Sequence, residues 1–127
     1  MQEKHLFEYA VIRIVPRVER EEFLNVGIIL YCSRLKFLQM VYELNDERLK
    51  AFAGEADRQQ LCNNLDAFQR ICTAGANAGP IGLLDMPNRF RWLTATRSTI
   101  VQSSKVHPGF CTDPSEKLVE LFKQLVL

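Results

Sequence analysis

The sequence predicts a single α+β domain over residues 1–127: a mostly antiparallel sheet, a three-strand meander plus a later strand, with helices packed on one face. Three observations support this fold class. Three segments rich in β-branched residues follow one another near the N-terminus, the apolar spacing then becomes helical, and one further strand-like segment precedes a C-terminal helix. Strands joined by short links pair antiparallel, and separated runs of strands and helices are typical of this class.

The three N-terminal strands are predicted from apolar side chains that alternate along the chain. They cover residues 8–17, 25–32 and 36–44. Pro16 closes the first strand or lies at a sheet edge, because proline cannot donate a hydrogen bond to a ladder. The short turn after the second strand favours a hairpin.

The helices are predicted from their capping residues. Asn45 or Asp46 caps a short helix and Asp57 starts a longer one, whose apolar residues recur at helical spacing. Asp113 caps the last helix, with Pro114 at its first position, where proline is tolerated.

The region between the helical middle and the last helix gives weaker signals. Residues 75–82, GANAGPIG, are predicted to be a loop, and residues 87–93 a helical turn. Residues 97–102 are predicted to form the fourth strand, and His-Pro-Gly at residues 107–109 to form a turn.

Composition excludes several classes of protein. The chain has 47% hydrophobic and 24% charged residues and a net charge of +1, which is typical of a globular domain without a strong overall field. No apolar run approaches the length that spans a bilayer, and the N-terminus MQEKHLFEY lacks the apolar core of a signal peptide. We therefore expect a cytoplasmic protein without a membrane segment.

No metal or cofactor site is indicated. The four cysteines form no C-x-x-C pair and the two histidines are far apart, so we expect reduced cysteines and no bound metal. The motifs G-x-x-x-x-G-K-[ST], G-x-G-x-x-G, H-E-x-x-H and G-x-S-x-G are absent. The sequence therefore favours a protein that is not an enzyme and carries no cofactor.

A first charged group lies at the end of the first strand. Arg13 interrupts an apolar strand, and Arg17 follows in a segment crowded with charges. An arginine within a strand is costly to bury unless it is paired. Arg13 therefore needs a carboxylate partner, an exposed sheet face or an anionic ligand, and all three remain open.

A second group lies in RFRWLTATRST and mixes arginines with aromatic residues. Its candidate binding residues are Arg89, Arg91, Trp92, Arg97 and Ser98. Tryptophan and arginine are enriched at protein-interface hot spots, and the same types also bind single-stranded nucleic acid. Alternatively, the aromatic residues belong to the core and the arginines border it.

Several blocks of the chain resemble a bacterial family, domain of unknown function 3037. They are YAVIRIVPRVEREEFLNVGIILYC (9–32), AGPIG (78–82), RFRWLTATRSTIVQ (89–102) and VHPG (106–109), in order over nearly the whole chain. The family has no assigned activity, so the resemblance implies none. It does imply a bacterial cytoplasmic protein, and genes placed beside those of kinase-like proteins of the HipA type. The matching residues are Arg13, Pro16, Arg17, Glu21, Asn25, Gly27, Trp92, Arg97, Ser98 and His107.

The sequence thus favours a protein-interaction module, with a HipA-like kinase as the partner that the resemblance implies. One alternative is a nucleic-acid or nucleotide binder, which requires the arginines to share one face. Another is a small enzyme in which His107, Asn25 and Arg97 converge in one pocket. No oligomeric state is indicated.

Overall fold

The computed structural model describes residues 3–54, 57–74, 78–97 and 99–127. The strands are β1 (His5–Ile14), β2 (Leu24–Cys32), β3 (Phe37–Tyr42), β4 (Val101–Ser103) and β5 (His107–Cys111). The helices are α1 (Asp46–Ala53), α2 (Arg58–Thr73), α3 (Met86–Thr94) and α4 (Pro114–Leu125). Short 3-10 turns occupy Val18–Arg20 and Pro80–Leu83.

The strands form one antiparallel sheet with β1 in the middle. Its order is β3-β2-β1-β4, and β5 also pairs with β1. On one side β1 pairs with β2 along most of its length; on the other, its N-terminal half pairs with β5 and its C-terminal half with β4. β1 therefore pairs directly with β2, β4 and β5, and β3 pairs with β2 instead.

A bulge separates β4 from β5. Tyr9 lies opposite His107 and Ile12 opposite Ser103, so residues 10–11 of β1 face residues 104–106 of the edge. Ser104 bridges the gap: its Oγ accepts a hydrogen bond from the Val11 N–H at 2.8 Å, and its own N–H donates to the Val11 carbonyl at 2.8 Å. The Ser104 hydroxyl thus accepts the hydrogen bond that a backbone carbonyl accepts in a regular antiparallel ladder.

Both faces of the sheet are covered by helices. On one face, alternate sheet residues such as Ile12 and Ile29 pack with the apolar sides of α1, α2 and α3. On the other face, Val11, Ile28 and Leu30 pack against α4. The core therefore has two halves with the sheet between them.

The α+β class, the single mostly antiparallel sheet and the N-terminal meander are confirmed. The prediction that the helices share one face is corrected, because α4 lies on the face opposite α1–α3. The reason is in β2, where residues 26–32 are all buried. A strand without an exposed alternate side chain must be covered on both faces.

The predicted caps Asn45, Asp57 and Asp113 are confirmed, and Asp85 is a fourth cap that was not predicted. Side-chain oxygens of Asn45, Asp57, Asp85 and Asp113 accept hydrogen bonds from backbone N–H groups in the first turns of α1, α2, α3 and α4. The segment predicted as a helical turn is the full helix α3. In the predicted loop, residues 75–77 lie outside the described part of the chain.

The predictions for the sheet edge are wrong in part. The fourth strand is shorter and later than residues 97–102, and residues 107–109 belong to β5 instead of forming a turn. Gly109 allows this pairing, because a Cβ at that position would lie 2.6 Å from Cζ of Phe7, whose ring covers it. Pro108 is compatible with a strand that lies at an edge of the sheet.

Candidate interaction surface

Arg89 lies inside the protein and binds the end of a helix. Its side chain is buried, and its Nη1 donates to the carbonyls of Ile71 and Cys72, each at 2.7 Å. Its Nε donates to the Leu84 carbonyl at 3.1 Å. The last carbonyls of α2 have no partner within the helix and carry its negative dipole end, so the guanidinium satisfies both the hydrogen bonds and the charge. Arg89 therefore joins α2 to α3.

Arg97 has a similar role at the end of α3. Its Nη2 donates to the Trp92 carbonyl. Its guanidinium lies 4.5 Å from the centroid of the Trp92 ring and 5.3 Å from that of Phe68, and partial burial lowers its pKa by desolvation. These contacts use both the charge and the flat faces of the guanidinium for cation–π stacking.

Arg48, which the sequence reasoning missed, acts in the same way at the end of α4. Its Nη1 donates to the Val126 carbonyl at 2.8 Å. Asn25 contributes beside it, because its Nδ2 donates to the Leu125 carbonyl at 3.2 Å. No local pattern identifies Arg48, since 78 residues separate it from its acceptor. Three arginines thus bind the C-terminal ends of three helices.

Arg91 lies on the side of α3 opposite Arg89, Trp92 lies at the edge of that outer side, and both residues are exposed. A helix turns about 100° per residue, so the buried residues Arg89, Phe90 and Leu93 leave an outer face that carries Pro87, Arg91 and Trp92. Two exposed leucines, Leu83 and Leu84, lead into this helix. We call Leu83, Leu84, Pro87, Arg91 and Trp92 the α3 surface.

The α3 surface is rich in exposed apolar side chains. The exposed fractions are 77% for Leu83, 42% for Leu84 and 36% for Trp92. The Trp92 ring is held in place, because its centroid lies 6.0 Å from that of Phe68 in an edge-on arrangement and Arg97 stacks on it. A fixed, partly exposed tryptophan loses little conformational entropy when a partner covers it.

Three other predicted residues lie on the α4 side of the sheet. Arg13 and Asn25 face each other across β1 and β2, and the His107 ring lies 5.3 Å from the ring of Tyr9. The Arg13 guanidinium lies 3.9 Å from the Phe23 ring centroid, and desolvation lowers its pKa. Among the described residues, Arg13 Nε and Asn25 Oδ1 are buried without a hydrogen-bond partner.

The remaining two candidates lie elsewhere. Arg17 is exposed and lines a cleft between the loop after β1 and the end of α1. Ser98 lies outside the described residues.

The candidate residues do not converge. His107 and Asn25 lie on the α4 side of the sheet, whereas Arg97 packs with α2 and α3 on the other side. The pocket required by the enzyme hypothesis is therefore not formed from these three residues. The arginines of the nucleic-acid hypothesis are also divided, since Arg13 lies on one side of the sheet and Arg89 is buried on the other.

The cysteines of the described chain are free thiols. Burial raises the pKa of Cys72 to about 12, and the nearby Arg89 offsets this only in part. Desolvation, and then the charge of Cys32, raises the pKa of Cys111. Thiols that stay protonated at neutral pH are weak nucleophiles, so these two positions pack like small apolar residues.

The described residues lack two kinds of feature. They contain no group of three or more histidine, cysteine or acidic side chains placed to hold a metal ion. Among the same residues, no helix combines the length and the apolar character that crossing a membrane requires.

Comparison with known proteins gives one result. A family model described as a protein of unknown function, DUF3037, matches residues 9–126, which is nearly the whole chain. No curated protein and no solved structure matches the chain.

Proposed function

The chain belongs to the DUF3037 family, and we propose that it is a small protein-interaction module that binds its partner through the α3 surface. The observation that carries this proposal is the exposure of Leu83, Leu84 and Trp92 within ten residues of the chain, although other large apolar side chains such as Leu6 and Phe110 are exposed elsewhere. A contiguous exposed apolar patch is typical of an interaction site.

The chemistry of the surface supports a particular kind of partner. Arg91 is exposed beside Trp92, and the guanidinium of Arg97 stacks on the same ring. Tryptophan and arginine are the residue types that contribute most to interface hot spots. We therefore expect the partner to offer an apolar patch bordered by carboxylates.

A protein partner is favoured over nucleic acid for two reasons. Arg89 and Arg97 donate hydrogen bonds to helix-terminal carbonyls. The chain also has a net charge of only +1, so no strong positive field attracts phosphate backbones. The kinase-like partner, the bacterial origin and the cytoplasmic location remain predictions of the sequence.

The test is affinity purification of the tagged chain from its native host, with and without nuclease, followed by mass spectrometry. We compare wild type with Leu84→Asp, which places a charge in the α3 surface. The matched control is Leu35→Asp in the β2–β3 hairpin, because Leu35 is 43% exposed and Leu84 is 42% exposed. Thermal melting checks that both variants are folded.

We expect a stoichiometric, nuclease-resistant partner that Leu84→Asp loses and Leu35→Asp keeps. A partner kept equally by both variants would place the interface elsewhere. Recovery of nucleic acid, or of no stoichiometric protein, would refute the interaction module as the main function.

A further inference from the structure

A cleft of about 420 Å³ lies beside the loop that follows β1. This volume falls within the range of about 300–1,000 Å³ that is common for small-molecule sites. The residues that matter to its chemistry are Arg17, Arg20, Glu22, Phe52, Ala53 and Ile100. We call this site the loop cleft.

Among the lining residues that the structure describes, the loop cleft has one uncompensated positive charge. Both Nε and Nη2 of Arg20 donate to Oε1 of Glu22, at 3.0 and 2.7 Å, so these two charges neutralise each other. The Arg17 side chain is exposed and makes no hydrogen bond or ion pair to any residue within the described ranges. Its guanidinium is therefore available to an anion.

Another part of the loop cleft is apolar. Phe52 and Ile100 are partly buried and pack against the larger half of the core, so their exposed edges form a fixed wall. One guanidinium beside an apolar wall is complementary to one carboxylate attached to an apolar group. A phosphate dianion would leave half of its charge without a partner.

We infer that the loop cleft binds a monocarboxylate that carries an apolar side chain. Arg17 pairs with the carboxylate through its planar fork, and Phe52 and Ile100 contact the apolar group. Such a ligand is either a free organic acid or the C-terminal residue of a polypeptide. This site involves none of the residues of the α3 surface.

The test is an NMR titration of the full chain, monitored at the backbone amides of Arg20, Gly54 and Ile100. The probes are acetyl-leucine, acetyl-leucinamide, phenyl phosphate and a short acetylated peptide that ends in leucine. We expect saturable shifts with acetyl-leucine at millimolar concentration, none with the amide, and weaker binding of phenyl phosphate. Tighter binding of the peptide identifies a polypeptide C-terminus as the ligand, and equal binding identifies a free acid.

Two variants decide the role of Arg17. Arg17→Gln is expected to weaken acetyl-leucine binding by about tenfold or more, the usual effect of losing a hydrogen bond to a charged group. Arg34→Gln is the control, because Arg34 is exposed in the β2–β3 hairpin and pairs with Glu3 at 3.1 Å. Equal binding of the amide, unchanged affinity of Arg17→Gln, or no saturable shift at these amides would overturn the inference. Partner capture by the α3 surface is unaffected by either variant, so the two proposals fail independently.

Discussion

Replacing Arg89 by methionine removes three hydrogen bonds and one charge from the interior without leaving a large hole. The carbonyls of Cys72 and Leu84 lose the Arg89 donor, and the Ile71 carbonyl keeps only the Ala74 N–H at 3.3 Å; each hydrogen bond to a charged group is worth about 1.5–3 kcal/mol. The three bonds share one guanidinium, so their contributions do not simply add. A buried carbonyl left without a donor costs about 1–3 kcal/mol, and we expect Arg89→Met to lower the free energy of unfolding by about 3 kcal/mol in total. For a domain of this size the melting temperature falls by roughly 10 °C or more.

The assay is urea unfolding followed by circular dichroism, with thermal melting as a second measurement. Arg91→Met is the control, because Arg91 lies on the exposed side of the same helix and its replacement should change stability by less than about 0.5 kcal/mol. Arg89→Lys keeps the charge but loses the planar fork, so its stability should lie between wild type and Arg89→Met. If Arg89→Met is no less stable than Arg91→Met, the end of α2 does not depend on Arg89 and our account of the arginines is wrong.

Two further predictions concern the sheet. Ser104→Ala leaves the N–H of Val11 without a partner and should lower the free energy of unfolding in urea by about 1–3 kcal/mol. Ser103→Ala is the control and should lower it less, because the Ser103 hydroxyl donates only to the neighbouring Ser104 carbonyl. Equal losses of stability in the two variants would contradict the bridging role of Ser104. Burial, and then the hydrogen bond to Asp66, raise the pKa of Tyr42 from 10.0 to about 12. The stability that this hydroxyl contributes is therefore complete below pH 10 and is lost as the pH rises through 12. The difference in unfolding free energy between wild type and Tyr42→Phe should therefore shrink from pH 9 to pH 11, and a difference that stays constant would be evidence against the shift.

Local signals predicted most of the secondary structure. Asn45, Asp57 and Asp113 cap the helices that their positions in the sequence predict, because a cap acts on backbone groups only two or three residues away. The errors lie where a distant contact decides the conformation. Residues 107–109 form a strand because β1 is long enough to pair with them, although Pro108 and Gly109 by themselves favour a turn.

The candidate site also combines features that local signals predict with features that distant contacts decide. Arg89 and Arg91 are the same residue type two positions apart, yet one is buried and the other is exposed. A signal for this difference was present, because Phe90 and Leu93 share the buried side of α3 with Arg89 at helical spacing. That spacing predicts a buried Arg89 only if residues 87–93 are taken as part of a full helix instead of a single helical turn.

The sequence by itself determined the α+β class, the N-terminal meander, the helix starts and the family to which the chain belongs. These features follow from side-chain periodicity and from capping groups, which act over a few residues. The tertiary structure decided which face each helix covers, which arginines bind helix ends and where the α3 surface and the loop cleft lie. Such features depend on contacts between distant parts of the chain, as when Arg48 donates to the carbonyl of Val126, and a local pattern carries no information about them.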